Sequence, residues 1–340
     1  MKIIHSNPQR TRESEVIYRS GEFAYRLDAE WAKFPDYLKG AEVMGGDCDR
    51  DGNLIASTGD SRYPLVLFTP DGEFVRSFGE GLFSRAHSVF VTERNTILVA
   101  DTSKTVHAVR EITMEGELVR DFGELGTPSG SGINLDAFAQ LKRDGKIAAD
   151  TPWSDEADYY ASLDTIQRAA GPFNRPCAMV VGPTGEMFAA DGYGNAAVHK
   201  FAADGTFLKT WGGPGSAPGQ FRLPHNVWVD RLNRVWIADR ENSRVQIFDT
   251  DGELLYVADG FYRPADVWAD NDYIYVGELR GGVTIFNMDV EIVAQLGYFG
   301  SPLLTHGICG NKKSELFVFS IFHHKHHENV MKLTDRKSVV

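Results

Sequence analysis

The sequence has few cysteines, a shortage of basic residues and no long apolar run, and each shortage argues against a class of protein. Cys48, Cys177 and Cys309 are too few and too scattered for a disulfide framework, so we expect a protein of the reducing cytoplasm. No apolar stretch is long enough to cross a bilayer, and the N-terminal residues lack the apolar core of a secretion signal. Acidic residues outnumber basic ones by 47 to 35, which argues against a nucleic-acid groove.

Glycine and alternating apolar residues are abundant, and together they indicate a turn-rich all-β fold. The chain has 34 glycines and 42% hydrophobic residues, enough for a large core in a single domain of residues 1–340. The clearest repeating unit begins at Pro224, where short apolar runs rich in β-branched and aromatic residues alternate with Asn, Asp and Gly. Such runs predict short antiparallel strands. Asp-Gly or Glu-Gly turns precede the outer strand at 71–72, 115–116, 204–205 and 251–252.

The unit recurs six times, which predicts a propeller rather than a solenoid. The distance from the start of its first strand to the end of its second is fourteen residues in four copies and thirteen in two. Units of about forty residues with about four strands each are typical of propeller blades. The last unit has three clear strands, so the segment 22–32 is predicted to supply its fourth and to join the two ends of the chain. The predicted blades cover 41–80, 82–124, 172–213, 220–260, 261–298 and 301–335.

One position of the repeat holds a histidine in every second copy. If six blades close into a ring, these histidines lie about a third of a turn apart and face one axis. Three converging imidazoles make a metal site with room for a non-protein ligand. A single histidine at this position would be interpreted as structural, bonding a backbone carbonyl, but three in register favour the metal site. The histidines are His87, His225 and His306, and the intervening copies carry Met44, Cys177 and Ala265.

Residues 125–171 interrupt the repeat between the second and third blades. The segments 135–142 and 155–170 within them have the apolar spacing of helices. The insertion joins an outer strand to an inner strand, so it emerges on the face that the histidines occupy. We predict a lid over that face, because long insertions in compact folds are often functional. The alternative is a flap that covers the edges of the blades.

Second strands end on the histidine face, so their last residues surround the same opening. Four segments, two of them at these strand ends, resemble the NHL-repeat propellers, and specifically the peptidyl-α-hydroxyglycine α-amidating lyases. They are Phe173-Asn-Arg-Pro176, Asp191-Gly-Tyr-Gly-Asn195, Pro218-Gly-Gln-Phe-Arg-Leu-Pro-His225 and Ala238-Asp-Arg-Glu-Asn242. The likeness spans nearly all six blades and is strongest from 171 to 250. The Asp-Gly-Tyr and Asp-Arg-Glu-Asn pieces are specific, whereas many binding scaffolds share the NHL pattern.

The resemblance implies a chemistry for five residues. In that family three histidines hold zinc, and their places are taken here by His87, His225 and His306. A tyrosine acts as the base, which corresponds to Tyr193, and an arginine binds the substrate carboxylate, which corresponds to Arg240. Neutral imidazoles leave the zinc dipositive, so it can polarise an alcohol or water. The planar fork of arginine suits a carboxylate.

The sequence departs from the family's pattern at several places. Thr58 stands where the family has a second arginine, and Arg62 is a candidate to reach the same volume from one short insertion away. Gly307 replaces an aspartate that helps to hold calcium, so calcium is not expected. Leu304 and Gly194 replace a methionine and a disulfide-forming cysteine. The pattern therefore implies the same metal scaffold with an altered pocket.

The remaining candidates each have a plainer alternative. Asp191, Glu278 and His107 are predicted substrate contacts at the opening. Tyr193 could be a packing residue in its Gly-Tyr-Gly turn with no catalytic role. Arg240 could form an ion pair with Asp239 or Glu241 instead of binding a ligand. Cys177 is either a ligand of a soft metal or, as its apolar neighbours favour, a buried residue that fills space. The run His323-His-Lys-His-His327 is either a solvated loop or a substrate contact.

The expected function is a zinc-dependent lyase acting on a small molecule that carries a carboxylate or carbonyl beside a hydroxyl. Hydrolysis or hydration by a metal-bound hydroxide needs the same ligands and is the alternative within enzymes. A non-catalytic scaffold that binds a peptide or protein is the alternative of another class. Iron, manganese or nickel can also occupy three histidines. We expect no nucleic-acid or membrane partner, and the sequence does not indicate an oligomeric state.

Overall fold

Six antiparallel sheets surround one axis and form a closed ring. The computed structural model describes residues 9–10, 16–298, 301, 303–321 and 329–335. The inner strands of the six sheets contact one another in ring order, and the first also contacts the sixth. The predicted six-bladed propeller is therefore confirmed.

The first five blades have four strands each. From the axis outward, blade 1 consists of Val43–Cys48, Leu54–Thr58, Leu65–Phe68 and Phe74–Phe78. Blade 2 consists of Ala86–Val91, Thr96–Asp101, Val109–Thr113 and Leu118–Phe122, and blade 3 of Ala178–Val181, Met187–Asp191, Ala197–Phe201 and Phe207–Gly212. Blade 4 consists of Pro224–Val229, Val235–Asp239, Arg244–Phe248 and Leu254–Asp259, and blade 5 of Pro264–Ala269, Tyr273–Glu278, Gly282–Asn287 and Ile292–Leu296.

Blade 6 is built from both ends of the chain. Its inner strands are Gly307–Gly310, Glu315–Phe319 and Val330–Asp335. The strand Phe23–Asp28, inside the segment in which the sequence placed a closing strand, pairs with Val330–Asp335. Two more strands from the N-terminal side, Val16–Ser20 and Gln9–Arg10, extend this sheet to six. This pairing covers an edge that would otherwise be exposed.

Buried phenylalanines fill the spaces between blades. Phe201 packs edge-on against Phe122 of the preceding blade, and Phe286 packs in the same way against Trp236. Each buried aromatic side chain of this kind contributes about 1.5–3 kcal/mol to stability. The alternation of apolar and polar residues in each strand therefore fixes which side chains separate the blades and which reach the channel.

The insertion between blades 2 and 3 contains two short helices. Helix α1 spans Ala137–Arg143 and helix α2 spans Asp155–Leu163, and single 3-10 turns lie at Asp36–Leu38 and Arg240–Asn242. The prediction of a helix as far as residue 170 is wrong. After Leu163 the amides of Gln167 and Arg168 bond to the carbonyl of Ser131 instead of continuing the helix. No helix in the described part of the chain is long and apolar enough to cross a membrane.

Candidate metal centre and its rim

The three aligned histidines meet at the axis of the propeller. His87, His225 and His306 are 4%, 2% and 2% exposed, and one nitrogen of each lies within 4.8 Å of the others. Their ring centres are 4.8 to 5.1 Å apart, and each pair of rings stands nearly edge to face. The register of blades 2 and 4 shifts at their histidines, and such bulges turn a side chain out of the normal alternation. The sequence pattern therefore placed these three side chains together correctly.

Each imidazole is oriented by the neighbouring blade. The carbonyl oxygen that accepts its Nδ1–H belongs to the aligned residue of a blade without a histidine. The three bonds join His87 to Cys177 (2.8 Å), His225 to Ala265 (2.6 Å) and His306 to Met44 (2.6 Å). A carbonyl only accepts, so Nδ1 carries the proton and the lone pair of Nε2 is left for the axis. This is how proteins fix the tautomer of a metal-binding histidine.

The protonation state of the histidines also fits a metal. Burial, followed by the charge of His306 for His87 and of Arg240 for His225, lowers the pKa of these two histidines well below the usual value, and burial lowers the pKa of His306 to about 3. All three are therefore neutral at physiological pH, which is the form that binds metals. In the described structure the Nε2 atom of His87 is buried with no hydrogen-bond partner. An inward lone pair without a donor is costly to bury, and a cation would satisfy it.

Tyr193 and Arg240 lie directly beside this cluster. The hydroxyl of Tyr193 is 3.1 Å from Nε2 of His225, and Nη1 of Arg240 donates to the Tyr193 oxygen at 3.2 Å. Nε of Arg240 also donates to Glu241 at 2.9 Å, which is the pairing that the sequence offered as the alternative. Its Nη2 donates to Tyr159 at 2.8 Å, a contact that was not anticipated. Each guanidinium nitrogen thus already contacts a protein oxygen.

Glu241 connects the insertion to the rim of the propeller. Its carboxylate accepts from the hydroxyls of Tyr159 and Tyr160 on helix α2 at 3.2 and 3.0 Å. It also accepts from Arg240 and, at 2.6 Å, from Nη2 of Arg263. The sequence showed Glu241 as part of a motif and as a possible partner of Arg240, and it gave no signal that the two tyrosines, about eighty positions away, would reach it. Helix α2 therefore lies over the histidine face.

The acidic residues that end the second strands hold loops and do not face the opening. Asp191 is fully buried and accepts from the backbone amide of Asn174 at 2.9 Å, and Glu278 accepts from that of Tyr262 at 2.7 Å. Asp101 and Asp239 bond in the same way to the loops before their own inner strands. The expectation that Asp191 and Glu278 contact substrate does not fit this geometry, because both side chains are fully buried and bond to neighbouring groups of their own blades and loops.

Arg62 and His107 also differ from expectation. The Arg62 side chain is 71% exposed and forms a two-point ion pair with Asp60, so it does not fill the volume near Thr58. His107 is buried, and its Nε2–H donates to the carbonyl of Lys104 at 3.0 Å. Burial lowers the pKa of His107, which is therefore neutral at pH 7. The side chain of His107 therefore bonds within its own loop.

The remaining sequence candidates are resolved by packing. Burial raises the pKa of the Cys177 thiol to about 12, so Cys177 is a buried thiol that contributes its backbone carbonyl to His87. A side chain at Gly307 would bring its β-carbon within 2.8 Å of the carbonyl of Met44, which leaves no room for a calcium-binding aspartate. The run His323–His327 lies outside the described residues.

Past the histidines the channel is narrow. The cavity there has a volume of about 30 Å³. The aromatic rings of Phe90, Trp228 and Trp268 stand side by side along its wall. Such a space admits about one or two water molecules. A substrate must therefore reach the histidines from the rim that helix α2 covers.

Comparison with known proteins agrees with this architecture. Residues 221–248 match the NHL repeat family. NHL repeat-containing protein 3 of Homo sapiens is 29% identical over 254 residues, which cover 71% of this chain and 61% of that protein. Peptidyl-glycine alpha-amidating monooxygenase of Mus musculus is 42% identical over 85 residues, which cover 23% of this chain and 9% of that protein.

A solved structure of streptogramin B lyase superimposes with a TM-score of 0.60 at 13% identity, covering 92% of this chain and 98% of that one. At this identity the likeness concerns the fold alone. The resemblance inferred from the sequence motifs is confirmed by the family match and by the shorter match to the amidating enzyme. The chain is a six-bladed β-propeller with one segment that matches the NHL repeat and with partial sequence similarity to peptidyl-glycine alpha-amidating monooxygenase.

Proposed function

We propose that this protein is a metal-dependent lyase acting on a small molecule that carries a carboxylate beside a hydroxyl-bearing carbon. The observation that carries the proposal is the set of three neutral imidazoles whose Nε2 lone pairs converge next to Tyr193. The partial similarity to the amidating monooxygenase supports the same chemistry. The proposed ligands are His87, His225 and His306, and the proposed ion is zinc, which favours three histidines and one open position.

The neighbouring residues have distinct roles in this proposal. When bound, the ion would supply a Lewis acid that polarises the substrate hydroxyl. Tyr193 would act as the base in its phenolate form, after its own proton has passed to solvent, and it would then take the hydroxyl proton and become neutral. Arg240 donates to the Tyr193 oxygen and stabilises its negative charge. For an α-hydroxyglycine derivative, the new carbonyl forms as the carbon–nitrogen bond breaks, and the proton passes to the departing amide nitrogen.

Arg240 is a positioning residue for Tyr193 in this scheme. Its three nitrogens contact Glu241, Tyr193 and Tyr159, so it binds a substrate carboxylate only if Tyr159 moves away. The proposed partner is a small molecule rather than a nucleic acid or a membrane. The proposed location is the cytoplasm, where the three free cysteines stay reduced.

Metal analysis and one activity assay test the proposal together. Purified protein should contain about one equivalent of zinc per chain, and His225→Ala should lose it while keeping its β-rich circular dichroism. The wild type should release glyoxylate from N-acyl-α-hydroxyglycines. A metal-free wild type with an intact fold would contradict the enzyme and favour a binding scaffold. Bound zinc with ester or lactone hydrolysis but no glyoxylate would point to metal-hydroxide chemistry instead.

A further inference from the structure

Two arginines flank the metal centre from the blades that lack a histidine. Arg175 and Arg263 each lie two residues before the aligned position, at Cys177 and Ala265, and each precedes a proline. Their φ angles are +60° and +59°, a left-handed conformation that residues with a β-carbon rarely adopt. Such outliers persist only where the surrounding structure fixes them, and they concentrate at ligand sites. The shared position and conformation indicate a shared role.

Both guanidinium groups lie against the residues around Tyr193. The Cζ atom of Arg175 is 5.4 Å from the centre of the Tyr193 ring, and its Nε donates to the carbonyl of Thr102 at 2.9 Å. On the other side of blade 4, Arg263 donates through Nη2 to Glu241 and lies 6.0 Å from the centre of the Tyr160 ring. The Nε atom of Arg263 is buried and has no hydrogen-bond partner among the described residues. A buried donor of this kind lacks the acceptor that it needs.

The charges at this rim do not balance. Arg240 and Arg263 share the carboxylate of Glu241, whereas Arg175 donates to the backbone carbonyls of Thr102 and Tyr193 and forms no ion pair among the described residues. The buried acids at the ends of the second strands bond to their own loops and, for Asp239, to Arg244, and no described ion pair joins them to Arg175, Arg240 or Arg263. Neutral histidines with a divalent ion would add further positive charge. In a chain with a net charge of −12, this local excess favours an anion with two negative charges.

We propose that Arg175 and Arg263 form the anion-recognition pair of this site, and that its ligand is a small dicarboxylate with one carboxylate for each arginine. The reaction of such a ligand depends on the proposed function, but the binding of a dicarboxylate by these arginines does not. Planar guanidinium groups match carboxylates in two-point hydrogen bonds, and Arg263 already binds one carboxylate, that of Glu241. Helix α2 encloses the rim, which fits a small molecule.

Isothermal titration calorimetry with malate, lactate and inorganic phosphate tests the pair. Malate and lactate are both 2-hydroxy acids and differ in one carboxylate, so their difference in affinity measures the second recognition point. Zinc-loaded wild type should bind malate at least about tenfold more tightly than lactate or phosphate, the difference expected for one charged hydrogen-bonded contact. Equal affinity for malate and lactate, or tighter binding of phosphate, would overturn the dicarboxylate assignment.

Substitutions of the two arginines test whether malate binds between them. Arg175→Gln and Arg263→Gln should each weaken malate binding about tenfold or more and abolish the preference over lactate. Arg231→Gln is the matched control, because Arg231 is an exposed arginine in the turn between the first two strands of blade 4. Folded Gln variants that bind malate like the wild type would refute the pair. If Arg175→Gln fails to fold, Arg175→Lys keeps the charge and should retain part of the malate preference.

The outcome separates this inference from the proposed function. Malate binding that depends on both arginines, without zinc and without glyoxylate release, supports the pair and contradicts the lyase. Glyoxylate release from monocarboxylate substrates that is unaffected by either Gln substitution supports the lyase and contradicts the pair.

Discussion

Glu241→Gln is the most informative single substitution, because Glu241 joins helix α2 to the rim of the candidate metal centre. Its carboxylate is 3% exposed and bonds to Arg240, Arg263, Tyr159 and Tyr160. Glutamine keeps the shape and one acceptor oxygen but removes the charge. Arg240 is then left buried without a carboxylate.

The expected loss of stability is large. Removing one partner of a buried ion pair costs about 3–5 kcal/mol in the free energy of unfolding. We expect the lower end, about 3 kcal/mol, because the Arg263 side chain is 21% exposed and water can partly solvate it. Urea unfolding at pH 7, followed by circular dichroism, measures this difference. Glu253→Gln is the matched control at an exposed glutamate and should change stability by less than about 0.5 kcal/mol.

The dependence on pH distinguishes the ion pair from a packing effect. Burial by itself would raise the pKa of Glu241, but Arg240 and Arg263 outweigh burial and hold that pKa below its usual value of 4.5. A depressed pKa in the folded state gives a contribution that is complete above pH 4.5 and is lost as the pH falls through the folded value. The difference between wild type and Glu241→Gln should therefore shrink below pH 4.5. A difference that is the same at pH 7 and pH 3.5, or no destabilisation at all, would refute the ion-pair argument.

Three further predictions concern the base, the channel and the missing calcium ligand. Tyr193→Phe should keep its metal by elemental analysis but release glyoxylate about 100-fold or more slowly than the wild type; an unchanged rate would exclude Tyr193 as the base. Burial raises the pKa of Asp266 to about 8, so the folded protein retains a proton that the unfolded chain has lost, and stability falls as the pH rises from about 4 to 8. Asp266→Asn should flatten that fall in melting curves recorded at pH 5 and pH 9, and an identical slope would contradict it. Gly307→Asp should lower the melting temperature whether or not calcium is added, because its β-carbon would lie 2.8 Å from the Met44 carbonyl; rescue by calcium would contradict this.

The three-histidine cluster was predictable because the repeat specifies it. Side chains at one position of a repeating strand face the same way, so aligned histidines had to converge once the ring closed. The bonds that orient them were hidden from the sequence. They come from backbone carbonyls of Met44, Cys177 and Ala265, which any residue would offer.

The rim was harder to predict, because its contacts depend on loops. Arg62 bonds Asp60, two residues away, and a local ion pair of this kind competes with any role at the opening. Asp191 and Glu278 looked like substrate contacts, since strand ends surround the opening, but loop amides need acceptors and these buried carboxylates supply them.

The sequence by itself determined the blades, their number and the three histidines, because alternation and spacing are local properties that repeat along the chain. Only the tertiary structure decided that helix α2 places Tyr159 and Tyr160 on Glu241 and that Arg175 and Arg263 flank the centre. Those contacts join segments far apart in the chain, and they form because buried charges and hydroxyls must find partners. The repeat pattern of the sequence carries no information about which of these partners meet.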